Sequence, residues 1–116
     1  MYVLYVPSST KLSVQGQEAC SNGIGGYHSS VSVAGVEVAY AIVLECDFGG
    51  PIDQMSTLSA SHEIIEAVTD PHPTTDPAYG GVDADHVGWE LFMQFNSEIG
   101  DLCEVYDDAA YRAPSG

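Results

Sequence analysis

Tyr2 to Val6 reads Tyr-Val-Leu-Tyr-Val, a β-branched and aromatic stretch stopped by Pro7, and predicts a strand. Ser8 to Thr10 reads as a turn, and Leu12 to Val14 as a short strand or edge. From Gln17 to Tyr27, the glycines Gly23, Gly25 and Gly26 predict a loop. Two more strand-like segments, Ser29 to Val33 and Val36 to Leu44, flank Ala34-Gly35 and predict a hairpin. The second is dense in Val, Ile and Tyr and is the expected central strand. After the turn at Phe48-Gly49-Gly50-Pro51 the period changes. Ile52, Met55, Leu58, His62, Ile65 and then Glu66 or Thr69 recur at spacings of three and four, which predicts a helix over 52–68 with these residues on one face. Asp53 or Ser56 is the expected cap, and Pro71 and Pro73 end the helix. Residues 70–88 carry three prolines and three glycines and read as an ordered loop. Trp89 to Phe95 is apolar enough for a strand or a helical turn, and Asn96 to Glu104 leads to an acidic tail. The pattern as a whole predicts an α+β fold: a small twisted, mostly antiparallel sheet with one long helix across it, in a single domain over 1–116.

Composition narrows the partners. The chain has 116 residues, of which 17 are acidic and 2 basic, for a formal charge of −15. Affinity for nucleic acid comes mainly from Lys and Arg neutralising phosphates, so no nucleic-acid partner is expected. An anionic membrane surface is disfavoured for the same reason, and no stretch approaches the roughly 20 apolar residues of a membrane span. The three cysteines, Cys20, Cys46 and Cys103, form no CxxC pair, which argues against a thioredoxin motif or a cysteine zinc knuckle. The start has no leader pattern and the tail AAYRAPSG has no closing element, so the chain reads as an excised piece of a longer secreted protein.

The segment that carries chemistry is Ser61-His62-Glu63-Ile64-Ile65-Glu66. His62 and Glu66 stand at i and i+4 of the expected helix, one turn apart on one face, a spacing that lets two side chains grip one cation. In the HExxH signature of zinc hydrolases both ligands are His and the Glu is the general base. Here the second position is Glu66, giving HExxE; carboxylate oxygen is an acceptable zinc ligand, and the lower charge would also admit Mn²⁺ or Ca²⁺. Glu63 is then placed to take a proton from the metal-bound water. Against this stands the plainer reading, a hydrogen-bonded His–Glu pair, with His62 on the apolar side of the helix. A catalytic zinc needs a third ligand. His72 completes the 1, 5, 11 spacing of the long metzincin pattern, but Thr69 stands where that pattern has Gly. Glu98, with Asp101 after it, resembles the downstream Glu and second-shell Asp of gluzincin-type enzymes, and Asp101 is itself a third candidate.

Several pieces occur together in one order: Gly25-Gly26-Tyr27-His28-Ser29, Val38-Ala39-Tyr40-Ala41, Ser61-His62-Glu63-Ile64-Ile65-Glu66-Ala67, Thr69-Asp70-Pro71, and Glu98-Ile99-Gly100-Asp101-Leu102-Cys103-Glu104. From Tyr2 to Glu104 the chain resembles the bacterial relatives of the plant phosphate-induced/EXORDIUM family, which are secreted, zincin-like and regarded as candidate metallopeptidases. The resemblance implies that Glu98 and Asp101 belong with His62, Glu63 and Glu66. It also singles out His28, either as a metal ligand or as a donor to a tetrahedral intermediate, and lowers the rank of His72. Family members continue past the last segment with another cysteine, so Cys103 is expected to lack its partner and Cys20 to bridge Cys46.

The expected function is zinc-dependent hydrolysis of peptide bonds in a secreted peptide or protein substrate. His62 and Glu66 are the first ligands, Asp101 or Glu98 the third, and Glu63 the base. The alternative is a non-catalytic extracellular module that uses the same residues to hold a cation and docks to cell wall or protein.

Overall fold

The computed structural model describes residues 1–78 and 98–101. The segment Trp89–Phe95, the later part of the 70–88 loop and Cys103 lie outside the described residues. Strand β1 is Tyr2–Val6, and two short strands follow, β2 at Ser13–Val14 and β3 at Gln17–Glu18. A single 3₁₀ turn occupies Cys20–Asn22, so the expected loop over 17–27 holds some regular structure. Strands β4 (Gly26–Val33) and β5 (Val36–Leu44) form the expected hairpin. Its two loop residues both have positive φ, +51° at Ala34 and +80° at Gly35, the twist that matches a right-handed strand pair. Helix α1 spans Ile52–Thr69. It starts at Pro51, with no side-chain cap from Asp53 or Ser56, and Asp53 sits in the first turn, where a negative charge complements the helix dipole. At the other end Pro71 forces Asp70 out of helical geometry.

The main sheet has the order β1-β5-β4, with β5 in the centre as expected. It is mixed and not mostly antiparallel: β4 pairs antiparallel with β5, but β1 runs parallel to β5, with Tyr2 opposite Tyr40 and Val6 opposite Leu44. A parallel neighbour cannot come from a tight turn, and here 29 residues separate Val6 from Val36. The fold is α+β, and among the described residues no helix is long and apolar enough to cross a membrane.

Register divides the sheet into two faces. One face holds Val6, Ile42 and Leu44, which pack with Leu12, Val14, Ala19, Ile24 and Cys46 under the β2–β3 segment. The other face holds Gly26, His28, Ala41 and Val43, and α1 lies across it, against β4 and β5. Ala41 and Val43 are fully buried there, and the helix alanines Ala60 and Ala67 are buried. These small residues let the helix come close to the sheet.

Cys20 is bonded to Cys46, with Cα atoms 5.3 Å apart, and the bridge pins the 3₁₀ turn to the end of β5. It closes a loop of 26 residues. Chain entropy assigns such a loop about 3.5 kcal/mol. Denaturant melts with and without reductant should therefore differ by about that amount, and coincident melts would show that the bridge contributes no stability.

Candidate metal centre

Hydrophobic periodicity misplaces the helix's inner face. Ile52, Leu58 and Ile65, expected inward, are exposed, whereas the buried positions of α1 are Ala60, Glu63, Glu66 and Ala67, with Asp70 just beyond. His62 is half-buried at the margin and not in an apolar core. Carboxylates face the sheet because they meet a partner there. His28, on β4 opposite the small Ala41, points its imidazole at them.

The contacts radiate from Glu66. Its Oε1 is 3.1 Å from His62 Nε2 and its Oε2 is 3.4 Å from His28 Nδ1. Glu63 Oε2 lies 3.7 Å from the same His28 Nδ1. The turn over 98–101 supplies the remaining carboxylates. It is tied to itself, since the Asp101 N–H donates to the Glu98 carbonyl (3.2 Å) and the Glu98 N–H donates to Asp101 Oδ2 (2.9 Å). From this turn Glu98 Oε1 comes within 3.3 Å of His28 Nε2, and Asp101 Oδ1 within 3.3 Å of His62 Nε2. The structure thus brings His28, His62, Glu63, Glu66, Glu98 and Asp101 into one cluster. His72 is in none of its ion pairs among the described residues; its carbonyl instead accepts the N–H groups of Thr75 and Asp76 in the turn after α1.

Two sets of ligand atoms lie within 4.8 Å of one another, His28 with Glu66 and Glu98, and His62 with Glu63 and Glu66. Burial is uneven. The side chains of His28 and Glu66 are each 4% exposed, and those of His62 and Asp101 are 23% and 32% exposed. Solvent therefore reaches the cluster from the His62–Asp101 edge. Burial sets His28 back from any reacting group, and both of its ring nitrogens face carboxylates.

Electrostatics follow from this crowding. Burial alone would lower the His28 pKa, but Glu63 and Glu66 as hydrogen-bond partners, with the charges of Glu98 and Glu66, raise it to about 10. His62 rises to about 9, chiefly through its hydrogen bond to Glu66, against a desolvation cost. Burial would raise Glu66, yet the hydrogen bonds from His28 and His62 bring it down to about 2. Glu98 goes the other way, to about 7, because it is buried among Glu66, Asp70 and Asp101, with His28 only partly offsetting them. Among the described residues, Glu66 Oε1 and His28 Nε2 are buried without a hydrogen-bond partner of acceptable geometry, despite neighbours at 3.1 Å and 3.3 Å, and so are Ser56 Oγ and His72 Nδ1. Buried polar atoms are nearly always satisfied, so the two in the cluster leave a place for a further group.

Three supporting residues escape the periodicity argument. A Cβ at Gly26 would lie 2.7 Å from both Glu63 Cγ and the Ile42 carbonyl oxygen, so only glycine lets β4 come this near α1. A Cβ at Gly100 would lie 2.6 Å from Glu66 Oε1 and 3.0 Å from His62 Nδ1. Both glycines sit within the motifs noted above, but nothing in the pattern reveals which backbone they approach. Asp70 is 2% exposed and accepts the Ala78 N–H at 3.1 Å, folding the chain back after the helix. Its position before Pro71 was the available signal.

Comparison with known proteins yields no match, whether to a family model, a curated protein or a solved structure.

Proposed function

We propose that this domain is a zinc-dependent hydrolase of the zincin type that cleaves peptide bonds, with His62, Glu66 and Asp101 holding the ion and Glu63 as general base. The observation that carries the reading is the buried Oε1 of Glu66, which among the described residues has no hydrogen-bond partner of acceptable geometry and lies 3.1 Å from Nε2 of the half-buried His62. Imidazole nitrogen and carboxylate oxygen are both good zinc donors, so the residues present fit the ion; the carboxylate-rich set also suits Mn²⁺, and Ca²⁺ less well because of the imidazoles. When bound, zinc supplies Lewis acidity, polarising a carbonyl and lowering the pKa of water toward ~7.

The chain's own residues do the rest. Glu63 takes a proton from the attacking water as the carbon–oxygen bond forms, then returns it to the amine as the carbon–nitrogen bond breaks. His28 holds Glu66 from behind through Oε2, fixing which oxygen faces His62. Substrate approaches along the His62–Asp101 edge. We extend the proposal to secretion, which the Cys20–Cys46 bridge supports because disulfides persist mainly in oxidising compartments. Likeness to EXORDIUM-type proteins is part of the same proposal.

A second reading has an observation of its own. Glu63 is about as buried as Glu66 and shares a ligand-distance group with His62 and Glu66, which suits a non-catalytic module in which Glu63 is a ligand. Purified protein should contain zinc, cleave a generic protein substrate such as casein, and lose activity to chelator and regain it with zinc. Stoichiometric zinc without cleavage of a broad peptide library would select the module instead.

A further inference from the structure

We infer that the cluster binds two divalent cations bridged by the Glu66 carboxylate, an outer one between His62 and Asp101 and an inner one between His28 and Glu98. The inference deepens the metal reading above and rests on it for the outer ion; the inner ion is new.

Four observations carry it. The two oxygens of Glu66 diverge to different imidazoles, Oε1 to His62 and Oε2 to His28. The turn over 98–101 repeats that division, sending Glu98 to His28 and Asp101 to His62. On the inner side His28, Glu66 and Glu98 have ligand atoms within 4.8 Å of one another, with Glu66 Oε2 at Nδ1 and Glu98 at Nε2 of the imidazole; on the outer side His62, Glu63 and Glu66 form such a group, and Asp101 meets the same His62 Nε2 that Glu66 does. Among the described residues, each half also has one buried atom without a hydrogen-bond partner of acceptable geometry, Glu66 Oε1 on the outer side and His28 Nε2 on the inner, on side chains only 4% exposed.

Charge points the same way. Glu63, Glu66, Glu98 and Asp101 carry four negative charges when ionised, and the buried Asp70 is a fifth carboxylate beside Glu98. One divalent ion with neutral imidazoles leaves most of them uncompensated in a largely buried place, and a second ion offsets two more. Paired ions sharing ligands are a known hydrolytic arrangement, in which the two metals clamp opposite ends of the displacement. The halves differ in access, since His28 and Glu98 are 4% and 17% exposed against 23% and 32% for His62 and Asp101. The outer ion should exchange freely and the inner one slowly.

The test is zinc titration of the intact protein against a chromophoric chelator, followed by removal with EDTA. Wild type should saturate at two zinc ions per chain, one removed rapidly and one slowly. Asp101→Asn should lose the fast ion and Glu98→Gln the slow one, each dropping from two to one, and Glu66→Gln should lose both. With Mn²⁺ in place of zinc, wild type should give an exchange-coupled magnetic resonance spectrum and both single-site variants an uncoupled one. If Glu66→Gln does not fold, as judged by circular dichroism, Asp101→Asn and Glu98→Gln still decide the question. Saturation of wild type at one zinc, loss of all metal from either of those two variants, or a fully loaded wild type with uncoupled Mn²⁺ overturns the inference. Two ions without hydrolysis would leave it standing and remove the hydrolase reading. One ion with chelator-sensitive hydrolysis would do the reverse.

Discussion

Glu63→Gln is expected to lower peptide hydrolysis by about 10²-fold or more, the usual contribution of a positioned base, with metal content and melting temperature held near wild type. The amide keeps the shape that fits against Gly26, so the close approach of β4 and α1 survives. What disappears is the negative charge and basicity that the proposed base needs to take the water's proton. Glu66→Gln should behave differently. Among the described residues Glu66 is shared by both ligand groups and contacts both imidazoles, so its substitution should empty the site first and abolish activity as a consequence. Measuring zinc and hydrolysis on the same preparations separates the two effects. A Glu63→Gln protein as poor in zinc as Glu66→Gln would place Glu63 among the ligands and favour the non-catalytic module. A variant that keeps its metal and its rate would leave the general-base assignment without support.

The limits of sequence reading fall at particular residues. The β4–β5 hairpin was legible because alternating Ser and Val before Ala34-Gly35 meet a Val, Ile and Tyr run after it, a pattern that admits few other structures. Helix α1 was legible in extent because Pro51 and Pro71 frame it, but its orientation was not. Periodicity assumes that apolar residues face the core, and here Glu63 and Glu66 face inward while Ile65 and Val68 face out. The reversal has a physical origin 35 residues upstream of Glu63, in His28, whose imidazole compensates the carboxylates. A helical wheel contains no information about a charge partner on a strand. The parallel pairing of β1 with β5 was hidden for a similar reason, being a contact between distant segments with no turn to announce it. The candidate ligands on α1 could be read from i, i+4 spacing alone, and Glu98 and Asp101 from downstream spacing. His28 came only from a resemblance. The division of Glu98 to one imidazole and Asp101 to the other required the turn itself, with its two internal hydrogen bonds.

Metal-free and zinc-loaded protein are expected to respond to alkaline pH in opposite ways. Without metal, His28 and His62 are held protonated by their carboxylate partners, with pKa values raised from 6.5 to about 10 and about 9. A raised folded-state pKa means that the folded chain binds more protons than the unfolded one between the two values, so stability falls as pH rises through that range. The imidazole contribution is complete below about pH 6.5 and is lost as pH passes 9 and then 10. Glu98, raised to about 7, adds a loss in the same direction that begins above 4.5. Glu66 works in the opposite sense. Lowered from 4.5 to about 2, it stabilises the fold above 4.5 and ceases to do so as pH drops through 2. For this cluster, then, the chelated protein should be most stable in mildly acid solution and weaken steadily from neutral to alkaline pH. Zinc reverses the alkaline trend, because it binds only neutral imidazole and must displace these protons. Its apparent affinity should grow by up to about tenfold per pH unit for each proton released, until the imidazoles are free of protons. Melting curves at pH 5, 7 and 9 in EDTA and in a zinc buffer would show the two sets diverging as pH rises. Chelated protein equally stable at pH 7 and 9, with zinc affinity flat over the same interval, would mean that neither imidazole is held by the carboxylates around Glu66.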